Sequence, residues 1–273
     1  MMPVPVLVRS ERRGDVALLT LANPPVNSLG HAARMALWRA LVAADEDPVV
    51  DVIVVTGAER GFCAGGELGE LHSARQREWP GISSDLLPRI EACAKPVVAA
   101  MHGFAIGGGL ELALACHYRI ADRRTRIALP EIRHGVLPPS GSQRMPRAIG
   151  VAGALALIVG GGTVAAETYA GTPLFDALCD ADVVGASLEF AASLDRRRPP
   201  AGVLLRHRAL SETDARAPLA SWRERLSAMP AASDAMWRCI DAVECAVDAV
   251  DFDAGLVEAK RMHDELSRLQ ARQ

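Results

Sequence analysis

Apolar positions in the first half of the chain fall into short runs that alternate between strand-like and helical spacing. Val4–Val8 and Val16–Leu21 predict a hairpin around Arg13-Gly14-Asp15, because aliphatic and β-branched residues flank a turn sequence. Met35, Leu37, Trp38, Leu41 and Val42 recur at helical spacing over Ala32–Ala44, and Asp45-Glu46-Asp47-Pro48 ends that helix. Asp51–Thr56 is short and continuously apolar, the pattern of a parallel strand buried on both faces. A loop with Gly57, Gly61, Gly65, Gly66 and Gly69 follows, then a helix over Leu86–Cys93 and another buried strand over Pro96–Met101. Gly107-Gly108-Gly109 opens a helix over Leu110–Cys116, with strands at Tyr118–Ala121 and Arg126–Leu129 beyond it. This alternation predicts an α/β architecture.

After about residue 141 the strand signals fade. Val151–Val159 and Ala186–Leu194 read as helices, followed by three amphipathic stretches, Thr213–Met229, Ser233–Ala249 and Asp253–Arg272. Arg196–Pro200, three arginines and two prolines, is the expected hinge. The predicted organisation is a core over 1–195 and a helical C-terminal module over 196–273. Pro96–Cys116 and Gly150–Ala166 are the longest apolar stretches, but glycine runs interrupt both and the first holds His102 and Glu111. Buried soluble core is therefore expected, with no membrane span.

Composition narrows the function classes. Half of the 273 residues are hydrophobic and 23% are charged, ordinary globular usage that excludes a disordered chain. Aromatics are only 4%, while alanine contributes 47 residues, so the core must be packed from small and aliphatic side chains. Lys95 and Lys260 are the only lysines among 30 basic residues. A net charge of −3 with interspersed signs gives no basic stripe, so no nucleic-acid partner is expected. Six cysteines at 63, 93, 116, 179, 239 and 245 contain no C-x-x-C pair and no zinc-ligand spacing. That usage, and the lack of a signal-peptide stretch over Met1–Arg13, predict a reducing, cytoplasmic location without a metal site.

Three elements carry candidate chemistry. Glycines 107–109 expose N–H groups at the positive end of an apolar helix, where an oxyanion would be stabilised. Glu111 lies inside that helix, and a buried carboxylate there must be partnered or carry a raised pKa. A first-turn glutamate that merely complements the helix dipole is the alternative. Glu131 ends the apolar strand leading to Pro130, at a strand tip where binding residues collect, or else in an exposed turn. The spacing lets the two glutamates converge as an acid/base pair without requiring it. Gly61-Phe62-Cys63-Ala64-Gly65-Gly66-Glu67-Leu68 is either a surface turn or a second source of an oxyanion donor. His102, His117 and His134 show no paired metal spacing, and Cys63 and Cys116 have no evident activating partner.

The segments FCAGGEL, KPVVAAMHGFAIGGGLELALACHYRIA and ALPEIRHGVLP, in this order and separation, resemble the enoyl-CoA hydratase/isomerase (crotonase) superfamily. Asn23-Pro24-Pro25-Val26-Asn27-Ser28 fits the family's N-terminal stretch. The nearest resemblance is to the hydratase/isomerase half of multifunctional β-oxidation proteins. It covers most of the chain and is weakest over residues 160–230. It implies a crotonase-like spiral of ββα units, a helical C-terminal module, and a homotrimer or hexamer. It also implies an acyl-CoA thioester substrate, with no cofactor beyond the coenzyme A that the substrate carries. Gly66 and Gly108 match the oxyanion-hole donors, and Glu111 and Glu131 match the catalytic glutamates that add water to a 2-enoyl thioester. Val26, Ser28, Ala64, Gly65, Glu67 and Leu68 match substrate-binding stretches, and Arg60 is a candidate for a coenzyme A phosphate. The acyl pocket is expected between the loop His72–Asp85 and the C-terminal module.

Two departures bear on the activity. Pro139 stands where the hydratase pattern has a glycine whose N–H helps hold the catalytic water, and proline has no N–H to offer. Gly160-Gly161-Gly162-Thr163 replaces the usual T-G-R segment. The leading expectation is hydration. Its rivals are Δ3–Δ2 enoyl-CoA isomerisation, thioester hydrolysis or decarboxylation, and a silent acyl-CoA-binding subunit. The stop at Gln273, where a multifunctional relative runs on into a dehydrogenase, reads as the end of a complete hydratase-type unit.

Overall fold

The computed structural model describes residues 6–70, 73, 75, 78–194, 199–200 and 202–271. Strand β1 is Val8–Arg13 and β2 is Val16–Leu21, joined by Gly14-Asp15 with Arg13 opposite Val16. The first strand thus starts at Val8 and runs through polar residues, where the sequence pattern had given Val4–Val8. An edge strand whose residues beyond Val8 are all exposed has no apolar alternation to read, and its charges discourage pairing with another chain. Positions 4 and 5 lie outside the described residues.

A six-stranded sheet runs in the order β1-β2-β3-β4-β6-β9. Besides the hairpin it comprises β3 (Val52–Gly57), β4 (Val97–Met101), β6 (Tyr118–Asp122) and β9 (Ala177–Cys179), all parallel from β2 onward. Leu19, Leu21, Ile53, Val55, Val97 and Ala99 point to the main core. Their neighbours Leu18, Val52, Val54, Val98 and Ala100 form a second core with Val183 and Ala191 of helix α5 (Val183–Ser193). Both faces are covered, so these strands read as unbroken apolar runs. A small second sheet pairs β5 (Phe104–Ile106), β7 (Arg126–Ala128) and β8 (Thr163–Ala165). Strands β5, β8 and β9 were not predicted. Each has three residues, too few to show a period.

Helix α1 is His31–Glu46. A π-helical turn, Ile82–Leu86, leads into α2 (Leu87–Glu91), and α3 is Gly108–Ala115, buried at every position. Helix α4 runs from Gly141 to Ile158, well beyond the predicted Val151–Val159, with non-helical backbone at Gly150 (φ 78°). That glycine kink hides the first half from a periodicity search, since the apolar faces on its two sides are out of phase.

The C-terminal helices are α6 (Glu212–Ser227), α7 (Asp234–Asp248) and α8 (Phe252–Gln270). Ser211, Ser233 and Asp251 cap them, each side chain accepting a backbone N–H from the first turn. All three pack against α4. Gln143 and Arg147 of α4 also donate to the carbonyls of Ala242 and Ala246 on α7. Arg196–Arg198 of the expected hinge lie outside the described residues. No described helix is long and apolar enough to cross a membrane.

Candidate active site

The loop 61–66 lies flush against the start of α3. Ile106 donates its N–H to the carbonyl of Cys63, and a Cβ added at Gly109 would come within 2.3 Å of that oxygen. Gly65 (φ +88°) is equally confined, since a Cβ there would lie 2.8 Å from the nitrogen of Gly108. Asn27 holds the loop from the other side, its Nδ2 donating to the carbonyls of Ala58 and Gly61. Ala64 donates to Val26, and Leu29 donates to Gly65. Gly66 and Gly108 emerge at this junction, and neither donates its N–H to another described residue. Both line a cavity of about 420 Å³. Two free donors facing one space can hold an oxyanion.

Glu111 and Glu131 line the same cavity. The Glu111 Oε1 accepts the N–H of Gly141 at 2.7 Å. Burial pushes its pKa upward, opposed by the N–H groups of Gly141 and Ser140 and by the positive charge of Arg144. Glu131 follows Pro130 in a 3₁₀ turn, Glu131–His134. Its Oε2 is buried without a hydrogen-bond partner among the described residues. Burial first, and then the nearby Glu111 charge, push its pKa up to about 8. Two such carboxyls share their charge: they cannot both ionise cheaply. The donors around Glu111 favour the charge there and the proton on Glu131.

Of the other sequence candidates, Ala64, Glu67 and Leu68 also line the cavity. Glu67 accepts a hydrogen bond from Ser28 Oγ at 2.6 Å, so Ser28 orients it. Gly65 and Val26 support the loop from behind through the contacts above. Arg60 is exposed and is not among the lining residues. Cys63 and Cys116 are buried thiols pushed up to about 12 by burial, so neither is a nucleophile near neutral pH. His117 accepts the N–H of Val97 and is driven down to about 4 by burial, a structural role. His102 reaches the carbonyl of Glu59.

Sequence reasoning missed part of the wall. Lys260, His263, Asp264 and Ser267 of α8 line the cavity, one face at the i, i+3, i+4, i+7 spacing in the C-terminal module where the acyl pocket was expected, though none of the four had been singled out. Arg34 is buried, donating to the carbonyls of Leu29 and Pro80 and pairing with Glu70 at 3.3 Å. From the expected acyl-pocket loop, Ile82, Ser83 and Ser84 are present in the lining. Positions 72, 74, 76 and 77 of that loop lie outside the described residues.

Comparison with known proteins decides the family. Residues 11–221 match the model described as "Enoyl-CoA hydratase/isomerase". The chain belongs to that family. A peroxisomal bifunctional enzyme of Danio rerio is 44% identical over 178 residues, 65% of this chain and 24% of that protein. A probable enoyl-CoA hydratase of Bacillus subtilis (strain 168) is 37% identical over 191 residues, covering 67% of this chain and 74% of the relative. The chain thus spans about a quarter of the bifunctional enzyme and most of the bacterial relative. Among solved structures, Pseudomonas aeruginosa DspI superposes with a TM-score of 0.66 at 29% identity, covering 83% of this chain and 96% of that one. A carnitinyl-CoA dehydratase from Mycobacterium avium 104 superposes with a TM-score of 0.68 at 24% identity, covering 98% and 95%. The crotonase-like α/β fold with its helical C-terminal region is therefore shown.

Proposed function

We propose that this member of the enoyl-CoA hydratase/isomerase family adds water to a 2-enoyl-CoA thioester. The observation that carries the reading is the convergence of two free backbone N–H groups and two buried carboxyls on one cavity. The thioester oxygen takes the N–H groups of Gly66 and Gly108. Glu111, the charged member of the pair, removes a proton from water as its oxygen attacks C3. The electron pair of the double bond moves into the thioester, forming an enolate that the two N–H groups stabilise. Glu131, protonated, delivers its proton to C2. The product is a 3-hydroxyacyl thioester, and the Glu131 proton is replaced by the one Glu111 took from water. Assembly as a homotrimer or hexamer and a cytoplasmic, reducing location belong to the same reading. The six free thiols support that location.

Purified protein with crotonyl-CoA tests this directly. Loss of enoyl absorbance with formation of the 3-hydroxyacyl thioester is expected, and no product at any enzyme concentration overturns it. One observation favours a second activity, Δ3–Δ2 enoyl isomerisation. Pro139 lines the cavity and has no N–H for a water, while the N–H of Gly141 is already on Glu111. Isomerisation moves a proton between two carbons and needs no bound water. A 3-enoyl-CoA converted faster than crotonyl-CoA is hydrated would make isomerisation the main reaction.

A further inference from the structure

Behind Glu111 lies a chain of ion pairs, buried at its inner end, that the reaction above does not use. Arg144, in the first turns of α4, is 1% exposed, and its partner Glu91, at the end of α2, is 5% exposed. Arg144 donates through Nε and Nη2 to Glu91 Oε1 at 2.9 and 2.6 Å, and through Nη1 to Ser140 Oγ at 2.5 Å. The N–H of Gly141 donates to the Glu111 carboxylate, and the neighbouring N–H of Ser140 also favours its charge. The other oxygen of Glu91 accepts Arg206 Nη1 at 3.0 Å, and Arg206 Nη2 reaches both oxygens of Asp253 on α8. The guanidinium carbons of Arg144 and Arg206 lie over the Phe252 ring, 4.7 and 4.8 Å from its centre.

A buried ion pair is often no more stable than an apolar replacement of the same volume, so stability alone is a weak reason for this one. Its geometry supplies a better one. We propose that Arg144, clamped by Glu91, is a positioning residue that fixes the Ser140–Gly141 turn against the Glu111 carboxylate. This rests on the hydration reading, in which Glu111 is the base. Arg144 also supplies the positive charge acting on Glu111 from α4. The other titratable groups around the two glutamates are Cys239 on α7 and, around the cavity, Arg34, Glu67, Glu70, His134, Lys260, His263 and Asp264. Arg206 carries the clamp to α8, so the C-terminal helices and the base share one network.

The test is the pH profile of crotonyl-CoA hydration for Arg144→Met, Arg144→Lys and Ser140→Ala. For Arg144→Met, kcat should fall about 10–100-fold with KM within about twofold, and the acidic limb of kcat against pH should move up by about one unit or more, since a neighbouring opposite charge shifts a carboxyl by that much. Arg144→Lys keeps the charge without the fork, so it should restore the limb but only part of the rate. Ser140→Ala keeps both partners of the ion pair and should lower kcat about 3–10-fold, a hydrogen bond's worth. If Arg144→Met folds and its acidic limb stays at the wild-type position, the role is purely structural and the proposal fails. If it does not fold, Ser140→Ala decides, and wild-type kcat there overturns the proposal. Wild-type protein that does not hydrate crotonyl-CoA defeats the hydration reading and takes this role with it. Active wild type with unchanged variants defeats only the role of Arg144.

Discussion

The N–H of Gly141 donates to Glu111 Oε1 at 2.7 Å, joining the start of α4 to the middle of α3. Glu131, the other carboxyl of the cavity, has no such donor on its Oε2. Two residues of the same type thus sit in one cavity with different surroundings, and in the proposed hydration that difference makes Glu111 the base and Glu131 the acid. Glu111→Gln and Glu131→Gln should each lower kcat for hydration by about 10²–10⁴-fold, the usual value of a positioned acid or base. Circular dichroism should show both variants folded. Either variant retaining more than a tenth of the wild-type rate would remove that residue from the mechanism.

The same asymmetry has a consequence for stability. The carboxyl of Glu131 titrates at about 8 in the folded protein and at its ordinary 4.5 when unfolded. Between those values the folded state holds a proton that the unfolded chain has lost. Its contribution to stability is full below pH 4.5 and disappears as pH rises through about 8. Thermal unfolding of the wild type should therefore show Tm declining over that window. Glu131→Gln, uncharged throughout, should give a flatter curve. Parallel curves would mean that Glu131 titrates normally.

Much of this site was legible in the sequence, for physical reasons. A glycine run before an apolar helix marks out its exposed N–H groups. Two readings were open for the glutamate in that helix, a buried carboxylate or a first-turn partner of the dipole, and the structure buries Glu111 within the first turn. The charged support was not legible. Arg34 meets Glu70 across 36 residues, and Arg144 meets Glu91 across 53. Each sits on a helix where an arginine reads as a solvated position, because burial of a charge depends on a partner that local pattern does not reveal. Lys260, His263, Asp264 and Ser267 were not singled out for a related reason. A polar helical face looks the same whether it meets bulk water or a cavity.

Pro139 gives a gain-of-function prediction. Pro139→Gly supplies an N–H at the wall of the cavity in which the proposed reaction needs its water. A net hydrogen bond of about 0.5–1.5 kcal/mol corresponds to roughly 2–12-fold in rate. Hydration of crotonyl-CoA should rise by a factor in that range, while conversion of a 3-enoyl-CoA, which needs no water, should change less than twofold. Both rates measured on one preparation separate this from a general effect on folding. Equal changes in the two would place the proline outside the water step.

Two glycines at the junction that forms the proposed oxyanion hole, Gly66 and Gly109, should respond oppositely to the same substitution. At Gly66 an added Cβ meets nothing within 4 Å, and the N–H it leaves in place is the proposed donor. Gly66→Ala should therefore keep kcat within about twofold. At Gly109 the added Cβ would lie 2.3 Å from the carbonyl oxygen of Cys63 and 2.8 Å from its carbonyl carbon. Neither atom is the end of a flexible side chain, so the loop must move away from α3. That movement separates the N–H of Gly66 from that of Gly108, and losing one oxyanion donor costs about 10²–10³-fold in kcat. Gly109→Ala should show this loss, with Tm also lowered because the Ile106 to Cys63 hydrogen bond is strained. A folded Gly109→Ala with wild-type kcat would show that the two N–H groups need not stand together, and the oxyanion hole would have to be sought elsewhere in the cavity.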